Sequence, residues 1–398
     1  MPLPVSSRRG FLKAAVATGV SGSLSPLSLP VEGGHVFLAG PYLQPPAADA
    51  MTVRWITAKP THSWVEYGLT ESLGQKAQSV TAGIVDANDR IHAITLAGLQ
   101  PGKKYFYRVF SKEVVEFKPY KVTYGETIQS DLLSFTVRET NGKQVSALIF
   151  NDIHDRPESF GHLCGIAGPG DRDFVFLNGD IFDHQNDEQQ IIDHLLVPAT
   201  KAFASRTPFL YVRGNHETRG QFRSDWADYF TFPESKLYFD FTWGPVHFLV
   251  LDTGEDKPDA EPVYAGLVDF DAYRVEQARW AEQVMQSKAF KKAAFRVVLM
   301  HIPPQYSGDW HGATHCRQLF SPLFDKYKVD LTISGHTHKY GVHPPVAGQH
   351  AYPVVIGGGP KDGNRTVIRL TADARNLQIS MLRDDGSEVG KYAIPTRS

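Results

Sequence analysis

Five short apolar runs between residues 147 and 338 each stop at a residue able to bind a metal ion. The runs are Ala147-Leu148-Ile149-Phe150, Phe174-Val175-Phe176-Leu177, Phe209-Leu210-Tyr211-Val212, Val297-Val298-Leu299-Met300 and Leu331-Thr332-Ile333-Ser334. They lead into Asp152-Ile153-His154, Gly179-Asp180-Ile181-Phe182-Asp183, Gly214-Asn215-His216-Glu217, His301 and Gly335-His336-Thr337-His338. Short, mainly apolar runs of this kind read as buried strands. In open α/β sheets, sites form beyond the carboxyl ends of the strands, so segments far apart in the chain can meet at one place.

The donors so gathered are carboxylate oxygen, amide oxygen and imidazole nitrogen, without thiolate. Such a set suits Zn, Mn or Fe better than copper or an iron–sulfur cluster. Two divalent ions held ~3.5–4 Å apart can clamp a phosphoryl group and lower the pKa of a bound water, and a carboxylate can bridge them. One Asp-x-His would carry little weight, because buried His–Asp pairs are common structural features. Five ligand segments in order, each behind a strand-like run, point to phosphoester hydrolysis with two divalent metal ions.

These motifs closely resemble the calcineurin-like metallophosphoesterases, and among them the purple acid phosphatase branch with a small β-domain in front. The resemblance spans roughly residues 36 to 360. It implies that Asp152, His154, Asp180 and His338 hold one metal and that Asp180, Asn215, His301 and His336 hold the second, with Asp180 bridging. It implies too that His216 contacts the substrate phosphate and assists the leaving group, with Asn215 beside it. The implied reaction is in-line attack of a metal-bound hydroxide on phosphorus.

Two positions depart from the purple branch. Where it has glycine two residues after its first Asp, this chain has His154; where it has tyrosine at the end of the second motif, this chain has Asp183. His154 restores the ligand pattern of the wider superfamily. Without the tyrosine, an iron-loaded form is expected to lack the intense tyrosinate band. Asp183 reads either as a partner orienting a ligand or as a solvated loop carboxylate. Arg219 and Arg223 follow the His216 segment, where they would clamp a substrate phosphate or serve only solubility. Tyr306, Trp310, His311 and His315 lie in a loop after His301 that either contacts the leaving group or simply packs.

Residues 36 to 137 read as an all-β unit with strands at Met51–Ile56, Trp64–Tyr67, Ile91–Leu96, Tyr105–Val109 and Leu132–Val137, divided by Gly, Pro, Asn and Asp. Leu99-Gln100-Pro101-Gly102 before Tyr105 looks like the tyrosine corner of fibronectin type III domains. Helical stripes appear at Ile191, Ile192, Leu195 and Leu196, at Ala278, Ala281, Val284 and Met285, and at Leu319, Leu323, Phe324 and Tyr327. Three tail segments, Val367–Leu370, Leu377–Leu382 and Tyr392–Ile394, read as antiparallel strands completing a second sheet. The expected class is α+β: a four-layer αββα metallophosphoesterase sandwich over 144–398, behind a fibronectin III-like sandwich over 32–138.

The leader, residues 1–31, contains Ser7-Arg8-Arg9-Gly10-Phe11-Leu12-Lys13, which fits a twin-arginine export signal. The following stretch is broken by Thr18, Gly19, Ser21 and Pro26, which argues against a stable membrane span. The expected location is the bacterial periplasm or outside the cell. Formal net charge is −2 and no basic face stands out, so polymeric nucleic acid is a poor partner. Cys164 and Cys316 are the only cysteines and are expected as free thiols, since a twin-arginine passenger folds before meeting an oxidising compartment. The substrate is expected to be a small phosphate monoester, with a diester as the enzymatic rival. From another class, the rival is a cell-surface binding protein on an inactive hydrolase shell.

Overall fold

The computed structural model describes residues 34–139 and 142–397, and from His35 onward they form one compact unit. The twin-arginine leader lies outside the described residues.

The front segment is all β, with one correction to its strands. Met51–Ile56 and Trp64–Tyr67 belong to a single strand, Ala50–Gly68. Its first half pairs with Phe37–Pro46 and Ala87–Ala97, its second half with Lys104–Lys118 and Gln75–Ala77. Pro60 does not end the strand; the register shifts between Ile56 and Thr61, where the missing N–H is absorbed as an irregularity. Inward residues of these strands, among them Val53, Trp55, Val65, Tyr107 and Phe135, close one apolar core. The tyrosine corner is present, the Gln100 backbone N–H donating to Tyr105 Oη at 3.1 Å.

Behind it stand two six-stranded sheets. The first runs in the order Phe209–Val212, Phe174–Asn178, Gln144–Phe150, Thr366–Asp373, Asn376–Arg383 and Glu388–Pro395. The second runs Phe239–Trp243, Val246–Leu251, Phe295–Met300, Leu331–Ser334, Val354–Ile356 and Gly341–His343. The tail strands therefore complete the first sheet instead of a second one. Thr366–Asp373 pairs antiparallel with Gln144–Phe150, which places Ile368 and Leu370 in the core between the sheets. The hairpin Phe239–Leu251 supplies the second sheet's outer strands and had no counterpart in the sequence reading.

Period-two alternation explains why the motif strands are apolar throughout. Ala147, Ile149, Phe174, Phe176, Val297, Leu299, Leu331 and Ile333 point between the sheets. Leu148, Phe150, Val175 and Leu177 point to a core that includes Phe160, Leu163, Ile191, Leu195 and Leu196. Val298 and Met300 face Ala281, Met285, Cys316, Phe320 and Phe324. Helix, sheet, sheet and helix are thus held by three apolar layers, giving the four-layer αββα sandwich. The first helical layer is Glu158–Ala167 with residues 188–204, where α-helical and π-helical turns alternate; the second is Phe270–Gln286 with His311–Lys326.

The front sheet docks onto the first of these layers. Tyr42 Oη donates to the Tyr229 carbonyl at 2.7 Å, Tyr107 Oη to the Ser205 carbonyl at 2.8 Å, and Arg90 pairs with Glu188 at 2.7 Å. Ala39, Tyr42 and Ile56 join the apolar core beneath. Among the described residues, no helix is long and apolar enough to cross a membrane. Cys164 and Cys316 are free, and burial raises both thiols to about 11.

Candidate metal centre

All five motif segments leave the carboxyl ends of their strands and converge. The loops are clasped by backbone bonds: Asp152 N–H to the Gly179 carbonyl (3.1 Å), His154 N–H to the Asp180 carbonyl (3.0 Å) and Gly335 N–H to the His301 carbonyl (3.0 Å). Asp152, His154, Asp180, His336 and His338 all have φ between 49° and 71°. Side chains rarely adopt that left-handed backbone, and strain of this kind gathers at functional sites. At Gly214 and Gly335 a Cβ would collide with Asp180 Oδ1 and Asp152 Oδ2 respectively, so these motif glycines are sites of close approach to the carboxylates.

Two ligand-type groups result, sharing Asp180. Asp152, His154, Asp180 and His338 each bring one donor atom, all within 4.8 Å of one another, and so do Asp180, His301 and His336. His154 Nε2 lies 3.0 Å from His338 Nε2, 3.8 Å from Asp152 Oδ1 and 3.6 Å from Asp180 Oδ2. His338 Nε2 is 3.3 Å from Asp152 Oδ1. In the other group, His301 Nε2 lies 3.0 Å from Asp180 Oδ2, and His336 Nδ1 lies 3.0 Å from Asn215 Oδ1. His301 Nε2 is fully buried yet not aligned for a hydrogen bond with that carboxylate. Donors packed this close, with a buried nitrogen left over, fit cations between them.

The charges agree with the geometry. Burial opposes ionisation of Asp152, but its bonds to His154 and His338 hold it well below the usual carboxylate range; Asp180 is likewise depressed against burial, chiefly by His301. Burial opposes protonation of His154 and His301, yet the aspartates raise them to about 9 and about 10. Burial and the neighbouring His301 lower His336 to about 4. Without metal, protons on His154 and His301 balance the carboxylates, and cations would displace them.

Surrounding groups aim these side chains. Since a carbonyl can only accept, His301 Nδ1 donates to Asn178 O at 2.8 Å, which turns Nε2 toward Asp180. His154 Nδ1 donates to Asp183 Oδ1 at 2.8 Å, so the two departures from the purple branch touch each other, and Asp183 orients the His154 ring. Glu217, buried, accepts from the backbone N–H groups of Asp180 (3.0 Å), Ile181 (2.7 Å) and Gly214 (2.7 Å) and from Tyr211 Oη (2.7 Å). Burial, then the nearby Asp180 charge, raises its pKa. Its place beside Asn215 and His216 marked the segment, but only the folded loops reveal what it holds.

His216 borders the same space. Its Nδ1 donates to the Asp183 carbonyl at 2.7 Å, leaving Nε2 4.0 Å from Asp180 Oδ2 and 3.2 Å from Arg219 Nη1. Arg219 lines the cavity and is anchored there: Nε and Nη2 grip Glu255 at 2.8 and 2.9 Å, and the remaining nitrogen faces His216. Arg223 donates to the Leu267 carbonyl and lines a different hollow. Of the loop after His301, Tyr306 and Trp310 line the cavity, while His311 and His315 turn away to Asp271. The cavity, about 500 Å³, also presents Asp256, Lys257 and Lys339, which the sequence reading did not single out. A larger hollow, about 670 Å³, lies over Arg369, Thr371 and Tyr392 on the tail strands and has none of these ligand residues.

Fold and site together define a calcineurin-like phosphoesterase domain, matched by residues 145–340, behind a purple acid phosphatase N-terminal domain, matched by residues 39–136. The chain is a metallophosphoesterase, a hydrolase of phosphate esters with a purple acid phosphatase-like dinuclear centre. Over 367 residues it is 28% identical to acid phosphatase type 7 of Homo sapiens, covering 85% of this chain and 76% of that protein. The fold is shared with a purple acid phosphatase from yellow lupin (Lupinus luteus) seeds, at TM-score 0.67 and 19% identity over 89% of this chain and 74% of that one. It is shared also with PhoD, at TM-score 0.64 and 13% identity over 92% and 90%.

Proposed function

We propose that this chain is an exported phosphomonoesterase in which Asp152, His154, Asp180 and His338 hold one divalent ion and Asp180, Asn215, His301 and His336 the other. The observation that carries this reading is the meeting of Asp152, His154, His338, His301 and His336 in two groups that share Asp180, with Asn215 against His336 and His301 Nε2 left unpartnered. Two bound ions would neutralise phosphoryl charge and lower the pKa of a water. The donor set admits Zn, Mn or Fe.

The remaining work falls to this chain's own residues. His216, its Nδ1–H committed to the Asp183 carbonyl, presents Nε2 to the ester and, when that nitrogen is protonated as well, gives its Nε2 proton to the departing oxygen. Arg219, fixed by Glu255, presents Nη1 next to it and donates to the phosphate. Asn215 borders the same cavity, its Oδ1 3.0 Å from His336 Nδ1. Preference for a monoester is supported by the cations Arg219, Lys257 and Lys339 around the cavity, which suit a dianion, and by relatives named acid phosphatases.

The test compares a nitrophenyl phosphate with its bis-ester on one metal-loaded sample. The monoester is expected to turn over faster. Faster turnover of the bis-ester would make the protein a phosphodiesterase, and turnover of neither would leave a binding protein on an inactive shell.

The proposal extends to organisation and location: leader 1–31, front domain 32–138 and catalytic domain 144–398, exported by the twin-arginine route as Ser7–Lys13 suggests. Replacing both Arg8 and Arg9 by Lys should retain the precursor in the cytoplasm on cell fractionation; unchanged export would remove this part of the reading.

A further inference from the structure

A second convergence of ligand-type side chains lies apart from the dinuclear centre. Asp271 stands in the first turn of helix Phe270–Gln286. His311 and His315 stand four residues apart at the start of helix His311–Lys326, a spacing that puts both on one face. His311 Nε2 lies 2.7 Å from Asp271 Oδ1 and 3.0 Å from Oδ2; His315 Nδ1 lies 3.1 Å from Oδ1. The three donor atoms fall within 4.8 Å of one another.

One detail separates this group from an ordinary hydrogen-bonded pair. His315 Nδ1 is buried and close to the carboxylate, yet is not aligned for a hydrogen bond with it. His301 Nε2 stands in the same relation to Asp180 in the dinuclear centre. Two ligands of one ion approach each other in this way, because each lone pair points at the ion between them and not at its neighbour.

We propose that Asp271, His311 and His315 form a separate zinc site. Two imidazoles and one carboxylate make a three-ligand tetrahedral set with one position open to water, whereas Mg²⁺ and Ca²⁺ require oxygen-rich shells that this group does not offer. Arg274 Nη1 donates at 2.9 Å to Asp271 Oδ1, the oxygen nearest both histidines, and so fixes the carboxylate, while its positive charge weakens the affinity the three ligands would otherwise reach.

The site joins helix to helix next to the catalytic rim. Arg274 also donates to the carbonyls of Thr253 and Glu255, and Glu255 is the residue that grips Arg219. An ion here would brace the loop behind Arg219 without touching the phosphate.

The experiment is elemental analysis of the full chain after zinc loading and removal of free metal, run beside the double variant His311→Gln/His315→Gln. The variant is expected to hold one zinc fewer per chain and to keep its nitrophenyl phosphate turnover. Equal zinc in both proteins, including none in either, would overturn the site. Because the readout is a difference, it does not depend on the dinuclear centre: failure of that centre appears as absent turnover with the one-ion difference intact. Should the double variant not fold, His311→Gln alone gives the same comparison, since this side chain is 35% exposed and bears little packing.

Discussion

Two of the buried polar clusters that contain histidine, one in each part of the described chain, differ in what faces the imidazole. In the front domain, His92 Nε2 sits 2.9 Å from Thr61 Oγ1 and 3.2 Å from Thr57 Oγ1, with Ser63, Ser111 and the Trp55 indole continuing the network. Hydroxyls both donate and accept, so they satisfy a neutral ring, and burial followed by the Arg54 charge pushes His92 down to about 3. In the catalytic domain, carboxylates face His154 and His301 and carry them up to about 9 and about 10 against burial. A hydroxyl cage makes histidine a core residue. A carboxylate cage makes it a proton-loaded stand-in for a metal site.

The largest expected break comes from Asp180→Asn. The amide cannot supply the negative charge shared by both groups, so turnover should fall to background and bound metal from two ions to at most one, read by nitrophenyl phosphate assay and elemental analysis. Retention of two ions with full activity would remove Asp180 as bridge.

His216→Ala should keep both ions while lowering kcat by roughly 10²–10⁴, the usual worth of a positioned proton donor. An alkyl phosphate, whose leaving oxygen needs a proton, should suffer more than a nitrophenyl ester, whose phenolate leaves unaided. Equal slowing of both substrates would reassign His216 to phosphate binding, and loss of metal would make it a ligand.

Glu217→Ala should act on stability before chemistry. It strands the N–H groups of Asp180, Ile181 and Gly214, at about 1–3 kcal/mol for each buried donor left unpaired. The denaturation midpoint of the metal-free variant should drop sharply, with Glu217→Gln intermediate because its Oε1 still accepts; an unchanged midpoint would mean the loops are held by other means.

A smaller effect separates the clusters by pH. His154 and His301 have folded values above their ordinary 6.5, so in the metal-free protein their contribution is full below that pH and is lost as pH rises through about 9 and about 10. Urea midpoints of metal-free protein should therefore fall between roughly pH 6 and roughly pH 9, while metal affinity rises across the same interval as protons are released. His92 moves the other way, its depressed value placing its influence in acid.

The smallest effect expected is that of His92→Leu. It removes one hydrogen-bonding partner from a network in which Thr61 and Ser63 still bond to each other at 2.7 Å, so it should cost about 1–2 kcal/mol in thermal unfolding and leave metal content and turnover untouched. Altered metal content would show that the front domain contributes to the catalytic site.

Much of this could be read from residues in order, because burial on both faces forces unbroken apolar strands and a strand end is where a ligand can be displayed. Asp152, Asp180, Asn215, His301, His336 and His338 are legible on that ground, and Tyr105 is legible because its corner is local. Partners far apart in sequence leave no such mark. That Asp183 reaches His154, that Asn178 turns His301, and that Glu217 gathers three backbone donors depends on loops meeting from separate strands. His311 and His315 show the limit most clearly. Their four-residue spacing was plain, but Asp271 belongs to another helix, and packing of the two helices, not the chain's local pattern, decided that both rings face its carboxylate and not the catalytic cavity.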